Sequence, residues 1–119
     1  MSKSLYERLG GKSAITAIVN DLVDAHACNP VVKARFQNRD LETSKRMASE
    51  FMCMGSGGPD PYTGAGLQKV HAGMNITERE FIATMDDLAD VLEKHEVGDR
   101  ERNEIVGIFM KLKTDVLHK

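Results

Sequence analysis

The chain has 119 residues, a length typical of one domain that can bury a hydrophobic core. Its 16 basic and 18 acidic residues give a net charge of −2, which leaves no basic field for nucleic acid or for a membrane surface. The N-terminus lacks the apolar stretch of a secretory signal, and no run of residues is apolar and long enough to cross a membrane. We therefore expect a single cytoplasmic domain over residues 1–119.

Apolar residues recur along the chain at the three- and four-residue spacing of amphipathic helices, and nowhere do they alternate for long as in a strand. This pattern predicts an all-α fold with five amphipathic helices. In chain order, the apolar stripes are Ile15, Ile18, Val19, Leu22, Val23 and His26; Met47, Phe51 and Met54; Leu67, Val70, His71 and Met74; Phe81, Met85, Leu88 and Leu92; and Ile105, Ile108, Phe109, Leu112 and Val116.

Residues that end or cap helices fall between these stripes. Gly10-Gly11 ends an opening turn, and Asn29-Pro30 ends the first long helix because proline cannot continue one. Asp40 is placed to cap the next helix, and Thr77-x-x-Glu80 has the spacing of a capping box. Gly98-Asp99 separates the last two predicted helices.

One connection is unusually long for a compact helical domain. Residues 55–66, GSGGPDPYTGAG, include five glycines and two prolines. Such a loop either has a function of its own or lets a short helix sit at an unusual angle. It is not a phosphate-binding loop, because no strand precedes it and no lysine and hydroxyl residue follow its last glycine.

The two cysteines, Cys28 and Cys53, have no partner at metal-site spacing, and we expect both to be buried thiols. The stretch FMCM at 51–54 offers soft sulfur donors that would suit copper. Methionine and cysteine are also common fillers of helix cores, and that interpretation is favoured here.

The histidine of the third stripe has two interpretations. His71 follows Leu67 and Val70 on one helical face, so its imidazole points where the apolar side chains point. It is either a buried neutral histidine bonded to a carbonyl, or the ligand by which a helical protein holds haem iron in an apolar pocket. Residue spacing alone does not separate the two.

Four segments, taken together, resemble a known family. LYERLGG (5–11), Phe36 before a polar turn, GSGGPDPYTG (55–64) and LQKVHAGMNIT (67–77) are similar to the truncated haemoglobins of the first group, globins with a two-over-two helical sandwich around haem. The similarity runs in order over nearly the whole chain. It implies that His71 is the proximal iron ligand and that the long loop swings the short helix carrying it against the haem.

The resemblance also implies a set of haem-contacting residues. Phe36 falls where the family has a phenylalanine on the porphyrin face, with ordinary core packing as the alternative. Lys45, Arg46 and Lys69 are candidates to neutralise the haem propionates, with a solvated surface charge as the alternative for each. The predicted cofactor-binding residues are Val23, Phe36, Ser44, Lys45, Met47, Ala48, Leu67, Val70, Met74, Ile76 and Phe81.

The distal side departs from the family pattern. Val23 stands where the family usually has a tyrosine, and Ser44, Met47 and Ala48 occupy its usual polar positions. Only Ser44 can donate a hydrogen bond to a bound gas, so we expect oxygen to dissociate readily and carbon monoxide and nitric oxide to bind well. Met47 is a possible distal iron ligand, although its packing on the haem is favoured, and His26 is a weaker rival.

The remaining histidines match no ligand of the family. His95 lies near a helix end where positive charge suits the helix dipole, and His118 lies in the terminal tail. Leu112 replaces the histidine that attaches to a haem vinyl group in some relatives, and no C-x-x-C-H motif is present. We therefore expect haem b held without a covalent link.

These observations predict a monomeric haem protein that binds oxygen, carbon monoxide and nitric oxide reversibly. Gas delivery, nitric oxide detoxification, and gas or redox sensing are all open as roles. Detoxification would need a separate electron-donating reductase, because this chain has no flavin or nicotinamide motif. The alternative is a haem-free helical interaction module, in which His71 is core and methionine-rich faces bind a partner helix.

Overall fold

The computed structural model describes residues 3–37, 39–62, 64, 66 and 71–118. Its helices are α1 (Leu5–Leu9), α2 (Gly11–Cys28), a 3-10 turn (Lys33–Arg35), α3 (Leu41–Gly55), α4 (Glu78–Lys94) and α5 (Asp99–Val116). The predicted all-α class is confirmed. The predicted helix around Leu67–Met74 falls largely outside the described residues.

Extended pairing is minimal in the part of the chain that the structure describes. One isolated parallel bridge joins Ile76 to Leu117, and the His118 N–H donates to the Ile76 carbonyl at 2.9 Å. No helix in the same part is long and apolar enough to cross a membrane.

The helix boundaries follow the capping residues of the sequence. Gly10 has a φ of 106°, a left-handed conformation that glycine adopts without a steric penalty, and it ends α1 just before α2 begins. Asp40 accepts a hydrogen bond from the Glu42 N–H at the start of α3. Thr77 and Glu80 form a complete capping box at the start of α4, as predicted.

The core lies between α2 and the helices that surround it. Helix α2 packs against α3, α4 and α1, while α5 packs against α1 and α4. The most deeply buried side chains are Ile15, Val19, Leu88, Leu92 and Ile105. All five belong to the apolar stripes predicted for α2, α4 and α5, so periodicity located these three core faces correctly.

The predicted stripe of α3 is wrong as a core face. Its buried side chains are Ser49, Met52 and Cys53, whereas Met54 is 39% exposed. Met47 and Phe51 are half-buried and face the loop that follows the helix. The Phe51 ring meets the Tyr62 ring edge-on, with centroids 5.2 Å apart, so this stripe packs on the loop and not on α2.

The two cysteines differ from each other. Cys53 is buried as predicted, and burial raises the pKa of its thiol. The prediction that Cys28 is buried is wrong, because this residue is exposed at the end of α2. It lies two positions beyond His26, which rotates it by about 200° from the buried stripe.

Candidate functional site

His71 lies in a tight turn between the long loop and α4. The residue is half-buried, and its carbonyl accepts a hydrogen bond from the Met74 N–H at 3.1 Å. Gly73 and Asn75 have φ values of 80° and 49°, left-handed conformations that reverse the chain sharply after the histidine. Thr77 then begins the cap of α4, so the turn of His71 directly precedes that helix.

Several apolar side chains on α3, α4, the Phe36 segment and the turn of His71 are incompletely covered. Phe36, Met47, Met74, Ile76 and Met85 are all half-buried, in contrast to the fully covered core around α2. Apolar surface left open in this way is what a flat hydrophobic macrocycle would cover. An imidazole together with partly open apolar side chains is the chemistry that haem requires.

The predicted distal residues are distributed over α2 and α3. Val23 is buried in the core face of α2, only 5% exposed. Ser44 and Ala48 are half-buried on α3 beside Met47. The terminal methyl of Met47 and the hydroxyl of Tyr62 both lie against Gly64, where any β-carbon would collide with them. A β-carbon at position 64 would therefore require the ends of the Met47 and Tyr62 side chains to move.

The cationic candidates for the propionates already have partners. The Lys45 ammonium lies 3.0 Å from an Asp24 carboxylate oxygen, which raises the pKa of the lysine. Arg46 lies 3.7 Å from Glu50 on the same helix. An anion that recruits Lys45 must compete with Asp24. Three further predicted residues, Leu67, Lys69 and Val70, lie outside the described residues.

A polar cluster that the sequence reading missed lies beside Phe36. His26 Nδ1 is 2.8 Å from Asp87 Oδ2, and Asn29 Nδ2 donates to both oxygens of Asp87 at 3.1 and 3.2 Å. The His26 ring lies 5.9 Å from the Phe36 ring, centroid to centroid. Nδ1 of His26 is thus bonded to α4, and Nε2 is the ring nitrogen that its predicted role as a rival iron ligand would use.

Burial controls the charge of this histidine. Desolvation lowers the pKa of His26, and the nearby Asp87 carboxylate opposes that effect without overcoming it. At neutral pH the ring is therefore uncharged, with its Nδ1–H donating to Asp87. The sequence signal was present but weak: two polar residues three positions apart, followed much later by an acidic residue at the edge of an apolar stripe.

The other two histidines lie elsewhere. His95 ends α4, with its Nε2 2.7 Å from Asp21, and this contact lowers the pKa of that aspartate. His118 is exposed near the C-terminus. Among the described residues, no three His, Cys, Asp or Glu side chains gather to hold a metal ion directly.

Comparison with known proteins agrees with this geometry. The family model described as bacterial-like globin matches residues 4–118. A group 1 truncated hemoglobin from Tetrahymena pyriformis is 31% identical over 117 residues, covering 98% of this chain and 97% of the relative. A group 1 truncated hemoglobin from Mycolicibacterium paratuberculosis is 30% identical, with 95% and 83% coverage.

Solved structures extend the match to three dimensions. The crystal structure of the Tetrahymena pyriformis protein in its Fe(III) form superposes with a TM-score of 0.93, covering 98% of this chain and all of that one. The 2/2 hemoglobin from Synechococcus, solved with covalently attached heme, gives a TM-score of 0.90 at 27% identity, with 97% and 98% coverage. The predicted two-over-two helical sandwich is confirmed.

The chain belongs to the bacterial-like globin family, among the group 1 truncated haemoglobins. Its cofactor is haem b, the prosthetic group of that family, and the half-buried apolar side chains around the turn of His71 fit such a group.

Proposed function

We propose that this protein binds diatomic gases at a haem b iron whose proximal ligand is His71. The observation that carries the proposal is the half-buried His71 in a sharply reversed turn, beside apolar side chains that the protein itself leaves partly open. When bound, haem supplies the iron atom to which oxygen, carbon monoxide or nitric oxide attaches. His71 would supply the nitrogen that holds the iron, and apolar side chains would supply the walls around the haem.

The walls of the proposed pocket come from three parts of the chain. Phe36 follows the 3-10 turn, Met74 and Ile76 follow the histidine, and Phe81 is buried in the first turns of α4. Apolar walls exclude water and hold the macrocycle by surface burial, which contributes about 25 cal/mol for each Å² removed from water. Leu67 and Val70 are predicted to join them.

The distal residues give little hydrogen-bond support to a bound gas. Val23 and Ala48 carry no donor, and Ser44 has a short side chain on α3. A missing neutral hydrogen bond costs about 0.5–1.5 kcal/mol, equivalent to between about twofold and tenfold in a dissociation rate. We therefore propose fast oxygen release, with tighter relative binding of carbon monoxide and nitric oxide.

We propose that Met47 packs on the haem and does not ligate the iron. Its methyl group reaches toward Gly64 and Tyr62 on the loop, which supports packing over coordination. A thioether ligand would need the sulfur to turn away from that loop contact and approach the iron.

Non-covalent haem attachment is part of the same proposal. Leu112 is half-buried on α5 and has no nucleophilic atom that could bond to a vinyl group. We further propose a monomer acting in the cytoplasm, with gas delivery, sensing or nitric oxide detoxification as its role. Detoxification requires electrons from a separate reductase, because no flavin or nicotinamide motif is found in the sequence.

The test of this function is a haem titration followed by gas binding. Apoprotein titrated with ferric haem should develop a Soret band that saturates at one haem per chain, and the reduced form should bind carbon monoxide. Extraction of the product into acidic butanone should release all the haem, because no covalent link holds it. If no Soret shift develops, the proposal of gas binding at haem is refuted, and the alternative of a haem-free interaction module takes its place.

A further inference from the structure

Arg35, the residue before Phe36, uses all three of its guanidinium nitrogens in hydrogen bonds. Its Nε and Nη2 donate to the two carboxylate oxygens of Glu80 at 2.7 and 2.9 Å. Its Nη1 donates to the backbone carbonyl of Met74 at 2.6 Å. The guanidinium thus binds one carboxylate in two places and a carbonyl in a third, a geometry that a planar fork of donors satisfies.

The carboxylate that receives Arg35 is itself held in place. Glu80 Oε1 accepts the Thr77 N–H at 3.2 Å, and the Thr77 hydroxyl accepts the Glu80 N–H at the same distance. The arginine lowers the pKa of Glu80, so this carboxylate is ionised at neutral pH. Arg35 is therefore anchored to the first turn of α4, which the capping box of Thr77 and Glu80 holds in place.

The carbonyl that receives Arg35 belongs to the turn of His71. Met74 is the last residue of that turn, and its N–H donates to the His71 carbonyl. Left-handed residues at 73 and 75 interrupt regular helix after the histidine. The bond from Arg35 ties this turn to another part of the chain and so restricts its movement.

We propose that Arg35 is a positioning residue for His71, which it locks to α4 and to the segment carrying Phe36. The inference rests on the proposed role of His71 as iron ligand. These three hydrogen bonds of Arg35, called the clamp below, join the turn that carries the imidazole of His71 to the segment that carries the ring of Phe36. The clamp therefore fixes how the imidazole is presented to the iron.

The test compares Arg35→Met with Arg39→Met. Arg39 is the matched control, because it is exposed and, among the described residues, its guanidinium contacts the Met74 sulfur at 3.7 Å and forms no ion pair. We expect Arg35→Met to speed haem loss from the ferric protein about tenfold, the effect of losing charge-assisted hydrogen bonds. It should also shift or broaden the iron–histidine stretching band in resonance Raman spectra of the ferrous protein. Arg39→Met should change neither.

A second readout uses the apoprotein and does not depend on haem. Amide hydrogen exchange over residues 71–77 should become faster in Arg35→Met and stay unchanged in Arg39→Met. Wild-type protein that fails to bind haem would refute the proposed function, whereas this exchange experiment would still test the clamp. Unchanged exchange, haem loss and Raman band in Arg35→Met would overturn the clamp alone.

Two conservative variants separate geometry from charge. Arg35→Lys keeps the positive charge, but one ammonium cannot reproduce the three-point fork, so haem loss should stay close to that of Arg35→Met. Full recovery in Arg35→Lys would overturn the geometric argument. Glu80→Gln keeps one oxygen for the capping contact of α4 but removes the charge and the second acceptor that Arg35 uses, so it should show the same changes even if Arg35→Met folds poorly. Unchanged behaviour of Glu80→Gln would contradict the clamp.

Discussion

Replacing Asp87 with alanine tests the polar cluster that holds the end of α2 against α4. The carboxylate accepts from His26 Nδ1 at 2.8 Å and from Asn29 Nδ2 at 3.1 and 3.2 Å. In Asp87→Ala, the His26 donor loses this acceptor, while Asn29 keeps its weaker contact to the Ala83 carbonyl at 3.4 Å. The unfolding free energy should therefore fall because a buried donor is left without this acceptor.

The size of the loss follows from burial. Hydrogen bonds to a charged group contribute about 1.5–3 kcal/mol each. Both side chains of the His26–Asp87 pair are only 14% exposed, so water can do little to replace a hydrogen bond that is lost. We expect a loss of about 2–3 kcal/mol in Asp87→Ala. For a chain of this length, that corresponds to a fall of roughly 8–12 °C in melting temperature.

Urea unfolding of the apoprotein, followed by far-ultraviolet circular dichroism, measures this loss. Asp86→Ala is the matched control, since Asp86 is the exposed neighbour on the same helix, and it should change stability by less than about 0.5 kcal/mol. Equal effects of the two substitutions would refute the cluster as a source of stability.

The same cluster predicts a pH dependence with a definite sign. Burial lowers the pKa of His26 in the folded protein, so folding favours the neutral ring. The stabilisation that this pKa shift provides is complete above the unfolded-state pKa near 6.5. As the pH falls below that value, the free energy of unfolding decreases by at most about 1.4 kcal/mol per pH unit. In His26→Leu, this component of the acid destabilisation should be absent. An identical pH profile for His26→Leu and wild type would contradict the assignment.

Three further predictions concern the distal side and the start of α4. Val23→Tyr should slow oxygen dissociation by between about twofold and tenfold in stopped-flow measurements, and should slow autoxidation, because it adds a hydroxyl donor. Since Val23 is 5% exposed, the larger side chain should also cost about 1–3 kcal/mol of apoprotein stability, and an unchanged oxygen rate would point to another donor. Met47→Leu should leave the magnetic circular dichroism of the ferric and ferrous protein unchanged, whereas loss of a low-spin signal in this variant would identify Met47 as a ligand. Thr77→Ala should lower the unfolding free energy by about 1 kcal/mol through loss of the helix cap, while the exposed control Thr114→Ala should not; equal losses would contradict the role of the cap.

Periodicity predicted the fold well where one helix face meets one core. In α2, the stripe from Ile15 to Val23 is buried throughout, because this helix packs against neighbours along its length. In α3, the same method failed, since that helix meets α2 on one side and the long loop on another. Apolar spacing does not tell which of two partners an apolar face will meet.

The sequence suggested residue types for the candidate site, but it did not predict the hydrogen bonds of Arg35 and His26 that hold the surrounding segments. The family resemblance made His71 the candidate ligand, a choice that its place on an apolar face left open. The contacts of Arg35 with Glu80 and Met74 join residues 39 to 45 positions apart, and the His26–Asp87 contact spans 61 positions. Such pairs are created by tertiary packing, and nothing local in the sequence tells which distant residue will be the partner.

The most direct test of the central claim is the rate of haem loss from His71→Ala. Ferric protein mixed with an excess of a haem-scavenging apoglobin reports this rate by absorption, and His95→Ala is the matched control because His95 contacts Asp21 instead. We predict that His71→Ala loses haem more than about a hundredfold faster than wild type. Loss of a residue that only hydrogen-bonds to a metal ligand weakens metal binding by about 10- to 100-fold, so a larger effect identifies the ligand itself. The control should match wild type. A His71→Ala protein that keeps its haem, with an unchanged rate and spectrum, would contradict the assignment of His71 as the proximal ligand.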